Sequence, residues 1–160
     1  MPSRRFFERI AVTANSSQHP TLLVSACLLG VECNHEGGHS RRRSVEALAE
    51  NYHLVPVCPE VCGGLSTPRA AAERRGDRVV NADGTDVTAA YERGAQAAVE
   101  LAQATGARGA VLKARSPSCG SSEIYDGTFS RTLHDGEGVT AAALRAAGVE
   151  VISEDDLRAG

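Results

Sequence analysis

The chain has 160 residues, 42% of them apolar and 23% charged, and a formal net charge of -3. That length supports one domain with a hydrophobic core, and the composition excludes a charged tail or a general nucleic-acid coat, since there is no basic surplus for a phosphate backbone. No apolar run approaches the roughly 18 residues of a membrane span, so a cytoplasmic protein with no membrane partner is the expectation.

The leader MPSRRFFERIAVTANSSQHP (1–20) has no apolar stretch of signal-peptide length and reads as a frayed extension, although Phe6, Phe7 and Ile10 can dock it onto the body. Residues 21–160 read as a single domain. TLLVSA (21–26) has the short apolar character of a buried parallel strand and runs into Cys27. A glycine-rich loop follows, CLLGVECNHEGGHS. In RRSVEALAENY, Val45, Leu48, Ala49 and Tyr52 then fall at helical spacing.

HLVPV (53–57) is the next strand, with Pro56 arguing for the strand's end or an edge position because proline donates nothing to a ladder. CPEVCGGLSTPRAAAERRGDR is a loop at first, with a short helix expected around 70–75, and VVNADGTDV is extended chain broken by an Asp-Gly turn. Thr88 is placed to cap a long helix whose Ala90, Tyr91, Gly94, Ala95, Ala98 and Leu101 form a narrow face of mostly small residues.

GAVLK (109–113) is a third strand, followed by the long loop ARSPSCGSSEIYDGTFSRTLHDGEG. The helix VTAAALRAAG, the strand VEVIS and a terminal turn capped by Ser153 complete the chain. Strands alternating with helices predict an α/β fold: a three-layer domain with a mainly parallel central sheet and helices on both faces.

TLLVSA, HLVPV and GAVLK each lead into a loop bearing a cysteine: Cys27, Cys58 and Cys119. In a parallel sheet such loops emerge at one edge, where open α/β proteins bind ligands, so thiols far apart in sequence become neighbours. An odd count of five cysteines without export features argues against a disulfide framework and for metal binding, catalysis or burial. Three thiolates suit an iron–sulfur cluster with one open iron, but spacing alone leaves zinc as an alternative. Cys62, in CPEVC, and Cys33 read as small residues before they read as ligands.

Glu60, two positions past Cys58, is a candidate proton carrier, its plainer reading being a solvated loop acid or a helix cap. GGLSTPR, with Gly64, Thr67 and Arg69, has the composition to wrap a small polar or anionic ligand, while KARSPSCG places Lys113, Arg115, Ser116 and Ser118 around Cys119. With Ser25 at the end of the first strand, the expected substrate-binding set is Ser25, Gly64, Thr67, Arg69, Lys113 and Ser118. His35, His39 and His134 read as solvated loop histidines. Asp126 and Asp135 read as turn residues.

VSACLLG (24–30), PVCPEVCGGLSTPRAAAE (56–73), DGTDVT (83–88) and LKARSPSCG with IYDGTF (112–129) together resemble the DUF523 family, which includes the bacterial thiouracil desulfidases, and the likeness spans about 22–154. The resemblance implies an α/β domain in which Cys27, Cys58 and Cys119 hold a [4Fe-4S] cluster with its fourth iron free for the sulfur of a thiolated pyrimidine. It also implies that Glu60 and Ser116 are catalytic. One departure is Asn34-His35-Glu36-Gly37 after Cys33, where family members commonly carry an Arg-Tyr-Asp-Gly-like string; Cys62 is another.

The expected activity is therefore non-redox desulfuration of a 2-thiouracil-like base or nucleoside to its oxo form with release of sulfide, by a monomer with no stable nucleic-acid partner. The alternatives are a structural-zinc or redox-sensing module and cluster-dependent sulfur transfer to or from transfer RNA. Against the latter stand the acidic balance and the lack of a PP-type ATP motif.

Overall fold

A computed structural model describes residues 2–11 and 19–158. Its centre is a four-stranded parallel sheet of β1 (Thr21–Ser25), β2 (His53–Val57), β5 (Gly109–Leu112) and β8 (Glu150–Ser153), in the order β2-β1-β5-β8. Pro56 sits opposite Val24 on the edge strand β2, where its missing donor costs no interior ladder bond.

Alternation along the strands divides the core in two. Leu23, Ala110, Leu112 and Val151 pack with Ala98, Ala102, Ala141 and Leu144 of α4 (Thr88–Thr105) and α5 (Val139–Ala146). Leu22, Val24, Val111 and Ile152 pack on the other face with Phe6 and Ile10 of α1 (Pro2–Ala11) and Val45 of α2 (Arg43–Glu46). The result is the expected three-layer α/β domain. In the leader, Phe6 and Ile10 are buried, and Phe7 meets Phe6 edge-on at 5.0 Å; residues 12–18 fall outside the described residues.

Two antiparallel hairpins lie beside the sheet: β3 (Ala72–Arg75) with β4 (Arg78–Asn81), and β6 (Glu123–Tyr125) with β7 (Leu133–Asp135). The first corrects the helix expected around 70–75. Gly76-Asp77 makes a two-residue hairpin turn, Gly76 with φ +59°, and this overrides the helical leaning of AAAERR. Thr88 does not cap α4 either. Its Oγ1 accepts from Val79 N at 2.9 Å and ties the helix start to β4, while Asp86 Oδ1 accepts from Thr88 N. Ser153 does begin a capped turn, its Oγ accepting from Asp155 N while Asp156 accepts from Ser153 N, ahead of α6 (Glu154–Arg158).

From β1 the chain runs first to β2 and later to β5 on the other side, so strand order reverses about β1. A crevice at the carboxyl ends of β1 and β5 is the consequence.

Candidate active site

A cavity of about 500 Å³ opens at that edge. Cys27 enters from the 3-10 turn Ala26–Leu29 directly after β1, Cys58 from the residue after β2, and Cys119 from the loop after β5; all three line the cavity. Cys27 and Cys119 are buried and Cys58 is half-buried, and none of the five cysteines is in a disulfide. Cys33 is the unexpected fourth thiol of the wall, buried, with its carbonyl accepting from Cys58 Sγ at 3.7 Å. Cys62 is exposed and lies off the wall.

Burial, reinforced by the neighbouring Cys58, pushes the Cys27 thiol up to about 11. Burial first, and then Glu60, Cys27 and Cys58, push Cys119 up to about 12 against a hydrogen bond from Ser25. Cys33 is likewise pushed up to about 12, by burial and by Cys58. Lys113 and Arg69 oppose these shifts at Cys27 and Cys33 without overcoming them, and an iron group bound to the thiols would stabilise their charged form. Among the described residues no three or more His, Cys, Asp or Glu side chains gather tightly enough to hold a single metal ion. The three strand-end thiols line one cavity and feel one another's charge, a donor set suited to a polynuclear cluster.

Glu60 sits on the short helix α3 (Pro59–Cys62), which packs against α4 backbone to backbone. A Cβ on Gly94 would lie 1.9 Å from the Pro59 carbonyl oxygen, and one on Gly63 would lie 1.9 Å from that of Ala90. Only glycines at both positions permit this approach. Tyr91, one turn before Gly94 on the same face, is thereby brought to Glu60 and donates its hydroxyl to Oε1 at 2.5 Å. Burial, then the nearby Glu60 carboxylate, raises the Tyr91 phenol far above its ordinary range, so it remains a donor.

Arg69 makes the second contact to that oxygen, Nε at 3.2 Å. Its other nitrogens donate to the Ser66 carbonyl, to Thr67 Oγ1 and to the Cys33 carbonyl, the last at 2.9 Å. Both side chains of the Arg69–Glu60 pair are largely buried, at 8% and 16% exposure, so removing one partner strands the other charge at about 3–5 kcal/mol. Among the described residues nothing donates to Glu60 Oε2, the oxygen left over for chemistry.

Ser116 Oγ accepts from the backbone N–H groups of Ser118 and Cys119, at 3.1 and 3.0 Å, which leaves its own proton to donate elsewhere. Ser25 Oγ accepts from Lys113 N at 2.8 Å and joins the ends of β1 and β5. The Lys113 ammonium stands 3.2 Å from Oε2 of the fully buried Glu154, so its charge is committed to balancing that carboxylate.

Of the expected substrate-binding set, Ser25, Arg69 and Lys113 line the cavity with Glu60 and Ser116. Gly64, Thr67 and Ser118 do not: Thr67 serves Arg69, and the buried Ser118 hydroxyl pairs with Thr140 Oγ1 at 2.9 Å. His35 lines the cavity, but His39 and His134 do not. Sequence reasoning missed Tyr91, Cys33 and Glu73 as wall residues, and also Phe129 and Arg131. A lone tyrosine on an otherwise Ala/Gly helix face was the available signal for the first.

These features define an α/β protein with an iron–sulfur-type thiol pocket at the switch point of a parallel sheet. The family model for 2-thiouracil desulfurase matches residues 22–156, and the chain belongs to that family. It is 43% identical over 146 residues to "Uncharacterized protein YbbK" of Bacillus subtilis (strain 168), covering 85% of this chain and 97% of that one. A solved structure described as the [4Fe-4S]-dependent thiouracil desulfidase TudS superposes with a TM-score of 0.82 at 46% identity, covering 88% of this chain and 94% of the other.

Proposed function

We propose that the chain is a [4Fe-4S]-dependent desulfidase that converts a thiouracil-like base to its oxo form, with Cys27, Cys58 and Cys119 as the cluster ligands. The observation that carries this reading is the arrival of three strand-end thiols at one cavity beside a carboxylate with a free oxygen. Membership of the desulfurase family and 46% identity to a desulfidase of this type support it. The net reaction is C=S plus water to C=O plus hydrogen sulfide, with no change of oxidation state and no external reductant.

When bound, the cluster supplies one iron without a protein thiolate, a thiophilic Lewis acid for the thiocarbonyl sulfur. The chain's own residues do the rest. Tyr91 and Arg69 hold Glu60 by Oε1, so that Oε2 is presented to take a proton from the attacking water and return it to the departing sulfur. Ser116 donates its hydroxyl proton to the ring or to that water, held in place by the two N–H groups it accepts from. Burial of the walls excludes bulk water and strengthens these contacts.

The test is anaerobic reconstitution followed by incubation with 2-thiouracil. Release of sulfide together with uracil supports the reading. A protein with full iron and sulfide content that desulfurates no 2-thio- or 4-thiopyrimidine, base or nucleoside, contradicts it.

A further inference from the structure

The loop between β6 and β7 carries an arrangement that core packing does not call for. Phe129 is one of the few large apolar side chains left exposed, at 36%, yet it lines the cavity. Its backbone is left-handed, φ 56°, and so is that of Arg131, φ 61°, a conformation that costs a side-chain-bearing residue energy and persists only when its surroundings impose it.

At Phe129 the group that fixes the backbone is Glu73 of β3. It is a buried carboxylate whose Oε1 accepts from Gly127 N at 3.0 Å and from Phe129 N at 3.1 Å. Arg75, two residues on, donates Nε to the Gly127 carbonyl and stacks its guanidinium 5.8 Å from the centre of the Phe129 ring. Asp126 closes the turn by accepting from Thr128 N and Oγ1. Phe129 lines the cavity and Arg75 does not, so the guanidinium holds the ring from outside the lining. A buried carboxylate and a cation–π contact thus hold Phe129 at the wall in a strained backbone conformation.

The geometry points to Phe129 as the platform on which the flat pyrimidine ring of the substrate stacks, with Glu73 and Arg75 as its positioning residues. This rests on the function proposed above and adds the residue that selects a planar heteroaromatic substrate. Phe129 offers a π-face that accepts a pyrimidine irrespective of its exocyclic groups. Arg131, also on the wall and without a partner among the described residues, supplies a donor for an exocyclic oxygen.

Binding of uracil, the unreactive product, to the anaerobic holoenzyme separates this role from turnover. Calorimetry on the parent, Phe129→Ala, Phe129→Leu and Phe129→Tyr, each with matched iron content and melting temperature, gives the answer. Loss of a base-stacking ring predicts about 10-fold or more weaker uracil binding for Ala and Leu, retention within about 3-fold for Tyr, and a rise in KM for 2-thiouracil with little change in kcat. If the parent binds uracil and releases sulfide from 2-thiouracil, and Phe129→Ala or Phe129→Leu binds uracil as tightly as the parent, the platform is refuted while the function stands. If the parent neither binds uracil nor releases sulfide, both fail together.

Discussion

The Tyr91 hydroxyl donates to Glu60 Oε1 at 2.5 Å, from a helix that the intervening chain places 31 residues away. This bond and the Arg69 contact bind one oxygen of the carboxylate and, among the described residues, leave the other without a donor, so the proposed proton transfer falls to Oε2 in one orientation. Tyr91→Phe keeps the ring and the packing but loses that donor. It should retain full cluster iron and a KM within about 3-fold, while turnover falls roughly 10-fold, the worth of one hydrogen bond to a charged group. Glu60→Gln, which removes the proposed proton carrier itself, should keep most of its iron and lose about 10² to 10⁴ in turnover. Steady-state kinetics beside iron analysis checks both, and equal turnover for Tyr91→Phe and parent would remove the tyrosine from the account.

Gly94 faces Pro59 so closely that a methyl group there collides with the carbonyl oxygen at 1.9 Å. Gly94→Ala must therefore push α3 away from α4, and α3, which starts immediately after Cys58, carries Glu60. Overpacking of this kind costs about 1–3 kcal/mol. The expected outcome is a melting temperature lower by roughly 3 °C or more and incomplete cluster incorporation. A variant with parental melting and parental iron would show that the close helix contact is dispensable.

The cysteines divide by position. Cys27→Ser, Cys58→Ser and Cys119→Ser should each lose most cluster iron, whereas Cys62→Ser should keep iron and turnover within a few-fold, because Cys62 is exposed and off the cavity wall. Cys33→Ser is the sharper case, since that thiol is buried at the wall beside Cys58. It too should retain the cluster. Loss of iron in this variant would make Cys33 a fourth thiolate and close the iron on which desulfuration depends. In cluster-free protein, alkylation mapped by mass spectrometry should modify Cys62 ahead of the buried Cys27, Cys33 and Cys119.

A cluster held by three thiolates in a cavity open to substrate is also open to dioxygen. Exposure to air should bleach the absorption near 400 nm and abolish sulfide release in step. Full activity after complete bleaching would contradict a cluster-dependent reaction.

The four strands of the central sheet and the meeting of Cys27, Cys58 and Cys119 at one edge were legible in the sequence, because each cysteine follows an apolar run and parallel strands release their loops at one edge; the order of the strands was not. The partner of Glu60 was not. Tyr91 lies on a helix face of buried alanines and glycines, which reads as core, and its role appears only once Gly63 and Gly94 bring two helices into contact. AAAERR leans towards helix by composition, yet the Gly76-Asp77 turn and the hydrogen-bonding duties of Glu73 and Arg75 make it a strand. Gly64, Thr67 and Ser118 stand next to site residues in sequence but turn away in space; the Ser118 hydroxyl is taken by Thr140, 22 residues on. IYDGTF showed its Asp-Gly turn plainly, but not the left-handed backbone that holds Phe129 at the wall.

The central claim is that three strand-end thiols hold an iron–sulfur cluster whose chemistry removes sulfur from a pyrimidine. The most direct measurement follows sulfide and uracil together from 2-thiouracil, using anaerobically reconstituted parent and Cys119→Ser proteins of known iron content. The account predicts about four irons per parent chain, equal amounts of sulfide and uracil, and neither cluster nor product from the variant. Equal rates of sulfide release by the parent and by a Cys119→Ser protein that holds no iron would contradict it.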